Sequence, residues 1–132
     1  MIVVLDTNVV VSGIFFHGPP AFILEAWFEG RFEVYATTKI LEEYLRVMEE
    51  VSTLKSPRFE HPWEEILLER CHLIPDTKSD IMLPRDPSDA KFLDCASGSG
   101  ADYLVSGDHD LRSFQGDLRF KVISPRQFLQ RL

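Results

Sequence analysis

Short apolar runs alternate with helical patterns along this chain, and this alternation constrains the fold more than any other feature. Residues 2–5 form one apolar run and residues 103–106 form another. Between them, apolar residues recur at helical spacing, most clearly over 40–51. Strands that alternate with helices favour a parallel sheet covered by helices, so the sequence predicts an α/β fold.

The same pattern gives approximate bounds for each element. Strands are predicted at 2–6, 32–35, 72–75, 103–106 and 120–123. Helices are predicted at 20–29, from a cap at Thr37 or Thr38 to about 51, at 63–70, from Pro87 to about 97, at 109–114, and from Pro125 onward. Residues 12–18, 52–62 and 76–86 are predicted to be loops or irregular segments. Proline in first helical turns and glycine at helix ends set several of these bounds.

Four acidic residues lie where such a sheet binds ligands: Asp6, Glu43, Asp89 and Asp108. Asp6 and Asp108 each follow a strand, and ligands of open parallel sheets bind beyond the carboxyl ends of the strands. Two carboxylates about 5 Å apart repel by roughly 3 kcal/mol at an effective dielectric constant near 20. The cluster therefore predicts a bound cation, and Mg²⁺ or Mn²⁺ is the natural one for oxygen ligands.

The first acid also has an ordinary structural interpretation. In the segment from Asp6 to Asn8, Asp and Asn can bond their own backbone and so form a tight turn after the strand. In the functional interpretation, Asp6 binds the metal while Thr7 and Asn8 orient it or contact phosphate. The residues of this segment leave both interpretations open.

Glu42 and Glu43 are adjacent acids on the helix that is predicted to end near residue 51. Only one of them can face the site, because neighbouring helical residues point about 100° apart. Glu42 lies four residues before Arg46, which is the favourable order for a surface ion pair. Glu43 lies at the rim of the apolar stripe. The pattern therefore favours Glu43 as the site residue, with two solvated helix charges as the alternative.

The segment from Asp86 to Asp89 is the strongest case for an ordinary role. Asp86 as N-cap, Pro87 at the first position and an acid at the third make a good helix start without any chemistry. The functional interpretation keeps Asp86 as the cap and assigns a metal or water contact to Asp89.

Asp108 likewise precedes a predicted helix and has an ordinary role as its N-cap. Asp110 would supply a further carboxylate to a metal, directly or through water. His109 is the histidine next to these acids and is a candidate substrate contact, although a histidine at a helix start is more often polar surface.

Composition narrows the class of protein. The 132 residues are enough for one domain, 1–132, with a substantial core, and 45% hydrophobic with 27% charged residues is typical of globular chains. The apolar start reaches Asp6 too soon for a signal peptide or a membrane span, so we expect a cytoplasmic protein. A net charge of −7 argues against coating nucleic acid by bulk electrostatics, but bound metal ions would still permit a nuclease. Cys71 and Cys95 have no metal-binding spacing and are predicted to be small buried hydrophobes.

Taken together, the motifs resemble those of PIN domains, in particular the toxin components of toxin–antitoxin pairs (VapC-like ribonucleases). Five short segments carry the resemblance, in order, from residue 2 to about 125. They are Asp6-Thr7-Asn8; Ser12-Gly13 with Gly18-Pro19; Glu43-Tyr44 with Val47-Met48; Asp86-Pro87-Ser88-Asp89 with Phe92-Leu93 and Ala96; and Ser106-Gly107-Asp108-His109-Asp110-Leu111. Each motif is weak alone, whereas the ordered set is highly specific.

The resemblance implies a three-layer α/β/α sandwich with a mostly parallel central sheet of about five strands. It also implies an Mg²⁺- or Mn²⁺-dependent endoribonuclease that acts on RNA. By position, the implied catalytic acids are Asp6, Glu43, Asp89 and Asp108. Asp110 is a further implied metal contact, and the supporting residues are Thr7, Asn8, Asp86 and Ser106. Many PIN domains form dimers and bind a small antitoxin protein, so a homodimer and an antitoxin are candidate partners that the sequence itself does not show.

Two alternative functions stay open at this stage. An aspartyl-phosphate phosphatase would use Asp6 as a nucleophile, but such enzymes usually carry a second acid two residues on, where this chain has Asn8. A PIN-like module that binds RNA or a protein without cutting is the other alternative, and four intact acids count against it.

The substrate is less constrained than the chemistry. The segment from Lys55 to Phe59 mixes basic and aromatic residues, as single-strand binding often does. Phe15 and Phe16 are predicted either to stack on bases or to bury a dimer or antitoxin contact.

Overall fold

The chain folds around a five-stranded sheet in which every strand is parallel to its neighbours. The computed structural model describes residues 1–57, 61–76, 87–112 and 119–132. The strands are β1 (Ile2–Leu5), β2 (Glu33–Thr37), β3 (His72–Ile74), β4 (Tyr103–Val105) and β5 (Lys121–Ile123), and their order across the sheet is β3-β2-β1-β4-β5. The predicted fold class, an α/β sandwich with a parallel central sheet, is confirmed.

Seven helices connect and cover these strands within the described residues. They are α1 (Thr7–Phe15), α2 (Pro19–Phe28), α3 (Thr38–Ser52), α4 (Trp63–Arg70), α5 (Ala90–Ser99), α6 (His109–Arg112) and α7 (Pro125–Leu129). A 3₁₀ turn over Pro87–Asp89 precedes α5. Helix α5 contacts β1, β2, β3 and β4, and so covers most of one face of the sheet.

Helix α1 corrects the prediction for the first connection, because residues 12–15 are helical and not part of a loop. The signal that misled was Gly13, which punctuates loops when it is judged from sequence alone. Here Gly13 lies inside α1, where a Cβ atom would stand 2.6 Å from Leu24 Cδ1 and 2.7 Å from the Pro20 carbonyl oxygen. The glycine therefore permits the close approach of α1 and α2.

Other bounds follow the predictions closely, and local capping explains them. Thr37 is the cap of α3, since its hydroxyl accepts a hydrogen bond from the Ile40 backbone N–H at 3.3 Å. Helix α5 begins at Ala90 rather than at Pro87, because the first turn is 3₁₀. It ends at Gly100, whose φ of 68° is the left-handed conformation that favours glycine. Helix α7 starts with a capping box between Ser124 and Gln127.

The core is continuous across the sheet and includes both cysteines as small buried groups, as predicted. Cys71 and Cys95 are free thiols, and burial raises the pKa of each to about 12. At neutral pH both thiols therefore stay protonated and unreactive.

Among the described residues, no single helix is long and apolar enough to cross a membrane, and α1 and α2 reach that length only as a pair bent by 92°.

The strand order fixes where a ligand site is expected. From β1 the chain moves outward through β2 to β3 on one side, and then returns to place β4 and β5 on the other side of β1. The connections therefore reverse direction between β1 and β4, and such a topological switch point leaves a crevice at the carboxyl ends of its two strands. Asp6 follows β1 directly, and Ser106 follows β4.

Candidate active site

Asp6 is held at the end of β1 by its backbone and is nearly buried. Its N–H donates a 3.0 Å hydrogen bond to the Val105 carbonyl at the end of β4. Its own carbonyl accepts the first helical bond of α1, from the Val9 N–H at 3.0 Å. Asp6 occupies the N-cap position of α1 and is only 7% exposed; its side chain makes no capping hydrogen bond of good geometry, although the Asn8 backbone N–H lies close enough to stabilise the charged carboxylate. The backbone donor at Asn8 agrees with the ordinary turn role, and the carboxylate has a further partner just after β4.

A serine on the neighbouring strand orients the Asp6 carboxylate. The Ser106 hydroxyl donates a 2.7 Å hydrogen bond to Asp6 Oδ2 and accepts a 2.9 Å hydrogen bond from the Asp108 backbone N–H. Ser106 is fully buried, and its hydrogen bond to Asp6 is buried as well, whereas the one from Asp108 is partly buried. Ser106 thus joins the end of β1 to the segment that carries Asp108.

The pKa of Asp6 is raised above its ordinary value of 3.8, chiefly because burial penalises the charged form. The hydrogen bond from Ser106 and a backbone hydrogen bond from Asn8 lower the pKa, while the negative charges of Asp108 and Glu43 raise it. The structure therefore brings Asp108 and Glu43 near enough for their negative charges to act on Asp6. A cation bound beside Asp6 would oppose each of the effects that raise its pKa.

Asp108 has the ordinary role that the sequence suggested, in addition to its place at the site. Its Oδ1 accepts a 2.8 Å hydrogen bond from the Asp110 backbone N–H, which is the bond of an N-cap to the second residue of α6. A carboxylate has about four acceptor positions, so one capping bond leaves most of them available. His109 and Asp110 both lie exposed on the first turn of α6.

Glu43 is fixed by contacts to both of its carboxylate oxygens. The Thr7 hydroxyl donates a hydrogen bond to Oε2, and Lys91 Nζ lies 2.9 Å from Oε1. Arg46 is more distant, at 4.0 Å. Since Thr7 follows Asp6 directly, the first of these contacts ties Glu43 to the end of β1.

The predicted Glu42–Arg46 ion pair is wrong. Arg46 lies 3.2 Å from Glu50 and 4.0 Å from Glu43, while Glu42 is exposed. The arginine thereby sits between two carboxylates, one on each side along the helix, rather than beside one. The choice of Glu43 over Glu42 stays a prediction, although Glu43 is the acid that faces Thr7.

Sequence reasoning missed the importance of Tyr44 and Lys91. Tyr44 is fully buried, and its hydroxyl donates a hydrogen bond to the Leu5 carbonyl, so that α3 is attached to the residue just before Asp6. Lys91 was detectable as a basic residue two positions after Asp89 in an acidic motif. Tyr44 belongs to one of the motifs that carry the family resemblance, but its spacing alone indicated only an ordinary core residue.

Asp89 is buried, at 7% exposure, although it lies at a helix start. It occupies the N-cap position of α5, where its side chain makes no capping hydrogen bond, whereas the sequence predicts the cap at Asp86 and Asp89 at the third position; its predicted metal or water contact stays a prediction. Asp86, the predicted cap and supporting residue, lies outside the described residues. Asn8, another predicted supporting residue, is exposed on the first turn of α1 and contributes through its backbone N–H.

A comparison of the chain with the profiles of known protein families shows which family it belongs to. The family profile described as PIN domain matches residues 2–110, which include every candidate acid. The chain belongs to the PIN domain family. Its PIN domain has a nuclease-type fold, since PIN domains are generally nucleases. Searches of curated proteins and of solved structures gave no match for this PIN domain.

The donor chemistry of this PIN domain fits a hard divalent cation, but the side chains do not form a complete metal cage. Within the described ranges, no three His, Cys, Asp or Glu side chains are close enough together to hold one ion. An incomplete set of protein ligands does not contradict this fit, because Mg²⁺ commonly uses one or two carboxylates and keeps several waters. Asp6 and Asp108, which the structure links through Ser106, carry this fit, and the four-acid metal site stays a prediction.

A cavity that none of the candidate acids lines lies between α1, α3 and α4 of the PIN domain. Its volume is about 890 Å³, and Phe15 and Trp63 are among its lining residues. Phe15 is 1% exposed, so it cannot stack on a base, whereas Phe16 is 49% exposed with Lys55 Nζ 5.2 Å from its ring centre. The predicted substrate segment extends beyond Lys55 to Arg58 and Phe59, which are outside the described residues.

Proposed function

We propose that this PIN domain is a metal-dependent endoribonuclease that hydrolyses RNA phosphodiester bonds. The observation that carries the proposal is the linked pair of acids at the switch point. Asp6 at the end of β1 and Asp108 after β4 are joined through Ser106, by hydrogen bonds of 2.7 and 2.9 Å. This is the crevice in which open parallel sheets bind their ligands.

Asp6 and Asp108 are the residues that would hold a divalent cation, Mg²⁺ or Mn²⁺. When bound, such an ion would lower the pKa of an attacking water and stabilise negative charge on the phosphate. Ser106 fixes the Asp6 carboxylate, and the Asp110 N–H fixes that of Asp108. Asp89, Glu43 and the more exposed Asp110 complete the acidic surroundings in this proposal.

The raised pKa of Asp6 supports a cation-dependent site. Burial and two neighbouring carboxylates oppose ionisation of Asp6, and the hydrogen bonds from Ser106 and Asn8 only partly offset them. A cation would make the ionised form the favoured one. Without a cation the fold keeps a destabilising feature at this position, which is typical of functional sites.

The biological role that we propose is that of the toxin in a toxin–antitoxin pair. The ordered motifs that resemble VapC-like toxins support it, and a small antitoxin protein and a second copy of the chain are the proposed partners. A phosphatase that uses Asp6 as its nucleophile has less support, because Asp6 Oδ2 is already engaged by Ser106 and an amide, Asn8, stands where such enzymes carry a second acid.

A cleavage assay with matched variants tests the proposed activity. Wild-type protein should cut RNA with Mg²⁺ or Mn²⁺ and stop when EDTA is added, and Asp108→Asn should lose at least ~100-fold in rate, a loss of about 2.7 kcal/mol in transition-state stabilisation. Asp102→Asn is the control, since Asp102 is exposed at the opposite end of the same strand, where it accepts a 2.9 Å hydrogen bond from the Ile2 N–H. Cleavage that survives in Asp108→Asn, or that resists EDTA, would contradict the proposal.

A further inference from the structure

Lys91 lies inside the acidic site and contacts two of the segments that carry candidate acids. Its Nζ is 2.9 Å from Glu43 Oε1 and donates a 2.6 Å hydrogen bond to the Ser88 carbonyl. Ser88 precedes Asp89 directly, so the lysine links the α3 acid to the turn before α5. Its side chain is only 25% exposed, which distinguishes it from an ordinary surface lysine.

We infer that Lys91 is a built-in counter-ion that keeps Glu43 out of direct metal coordination, so that the metal binds on the Asp6 and Asp108 side of the site. This inference rests on the proposed function, because it concerns the cation of that same site. It changes the expected role of Glu43 from a metal ligand to a positioning residue that acts through Thr7.

The contacts of Glu43 support this division. One carboxylate oxygen accepts the Thr7 hydroxyl and the other contacts the Lys91 ammonium. A direct metal contact by Glu43 would have to displace one of these partners. Displacing the lysine would leave a partly buried ammonium beside a divalent cation, which is unfavourable by Coulomb repulsion.

Asp6 and Asp108 have no comparable contact among the described residues. The close polar partners of Asp6 are the Ser106 hydroxyl and the Asn8 backbone N–H, and that of the Asp108 carboxylate is the Asp110 backbone N–H. These are neutral donors. Lys91 therefore balances the negative charge of Glu43, whereas the described contacts of Asp6 and Asp108 include no cationic side chain. An added cation gains the most electrostatic free energy beside these two acids.

Arg46 does not substitute for Lys91. Its side chain is 62% exposed, it lies 4.0 Å from Glu43, and it is closer to Glu50, at 3.2 Å. Exposed ion pairs of this kind contribute little. Removal of Lys91 should thus leave Glu43 as an additional available carboxylate beside the metal.

A double-mutant cycle on metal affinity tests the inference. Mn²⁺ affinity is measured by calorimetry for wild type, Lys91→Met, Glu43→Gln and the double variant. Lys91→Met should bind Mn²⁺ about tenfold more tightly, equivalent to about 1.4 kcal/mol, because it frees a carboxylate. Glu43→Gln should bind more weakly, because its lysine is then uncompensated. The double variant should return to within about threefold of wild type, since it removes both charges of a pair that does not bind the metal.

The double variant gives the decisive result. If Glu43 is a direct ligand, the double variant lacks that ligand and should bind Mn²⁺ at least tenfold more weakly than wild type, which would overturn the inference. Unchanged or weaker binding by Lys91→Met would also overturn it. Lys121→Met controls for net charge, because Lys121 is exposed at the amino end of β5. Lys91→Arg should keep wild-type affinity.

Metal binding and RNA cleavage are measured separately, so the two proposals fail separately. The expected affinity pattern without any RNA cleavage would leave the role of Lys91 intact and remove the nuclease. RNA cleavage with an unexpected affinity pattern would do the opposite. Absence of Mn²⁺ binding in both wild type and Lys91→Met would overturn the inference. Circular dichroism in EDTA confirms that each variant is folded before its affinity is compared.

Discussion

The Ser106 hydroxyl donates a 2.7 Å hydrogen bond to Oδ2 of Asp6, and this contact spans the switch point of the sheet. Residues 100 positions apart in the chain thereby share one buried polar contact. The same hydroxyl accepts the Asp108 N–H, so one serine controls the geometry of both acids. Its removal should affect the site more than its size suggests.

Ser106→Ala should lower both stability and activity. The buried Asp6 carboxylate loses its side-chain donor and the Asp108 N–H loses its acceptor, at a cost of about 1–3 kcal/mol. Because the Ser106 hydrogen bond lowers the pKa of Asp6, that pKa should rise further in the variant. The pH profile of RNA cleavage by the variant should therefore shift to higher pH than that of wild type.

A matched serine variant separates the site effect from general destabilisation. Ser99→Ala removes a longer hydrogen bond, 3.4 Å, from the end of α5. It should leave the pH profile of cleavage unchanged. Equal profiles for Ser106→Ala and wild type would show that the serine does not set the ionisation of Asp6.

Asp6 should reduce stability at neutral pH when no metal is bound. Its pKa in the folded protein lies above the ordinary value of 3.8, so the folded state binds this proton more tightly than the unfolded chain. The stability that it contributes is present below about pH 3.8 and is lost as the pH rises through the folded-state pKa. In EDTA, Asp6→Asn should therefore be more stable than wild type at pH 7, with a difference that shrinks at acidic pH. Urea unfolding over a pH series measures this, and a variant less stable than wild type at pH 7 would contradict it.

Much of the fold was predictable because local signals and tertiary packing agree. Helix α3 combines an apolar stripe with a threonine cap, and α4 was predicted with its observed bounds. Helix α1 was not predicted, because its three consecutive valines and Gly13 have low helix propensity. Burial in the core stabilises the helix in that segment, since Val9, Val10 and Ile14 are almost fully buried.

The candidate site was predictable only in part, for a physical reason. Acids that follow strands converge at the same edge of a parallel sheet, so Asp6 and Asp108 could be placed together from sequence. The contact between Lys91 and Glu43 joins α5 to α3, and helical periodicity does not specify which side chains of two such elements meet. Tyr44 likewise depends on tertiary structure, since its partner is a backbone carbonyl of β1.

Divalent metal should stabilise the fold. The folded protein presents Asp6 and Asp108 together, whereas the unfolded chain separates them, so the metal binds the folded state preferentially. At a concentration about 100-fold above the dissociation constant the gain is about 2.7 kcal/mol. Thermal unfolding with and without millimolar Mn²⁺ measures this, and the double variant Asp6→Asn, Asp108→Asn should show no shift. A melting temperature of the wild type that is indifferent to both Mn²⁺ and Mg²⁺ would refute the prediction.

The two adjacent acids on α3 should differ sharply in cleavage assays. Glu43→Gln should reduce RNA cleavage at least ~100-fold, a loss of about 2.7 kcal/mol, because Glu43 contacts Thr7 beside Asp6. Glu42→Gln is the matched control and should keep most of the activity, since Glu42 is exposed. Equal losses of activity in the two variants, or a greater loss in Glu42→Gln, would contradict the choice of Glu43 as the site residue.

Asp6→Asn separates a nuclease from a protein that only binds RNA. The substitution keeps the size of the side chain and an oxygen that can accept the Ser106 hydrogen bond, but it removes a charge that a divalent cation requires. The variant should therefore stay folded and lose RNA cleavage. If the protein is a toxin, wild type expressed alone should arrest cell growth, and Asp6→Asn at the same expression level should not. Growth arrest by the variant as strong as that by wild type would mean that binding, not cutting, causes the harm, and the nuclease proposal would have to be abandoned.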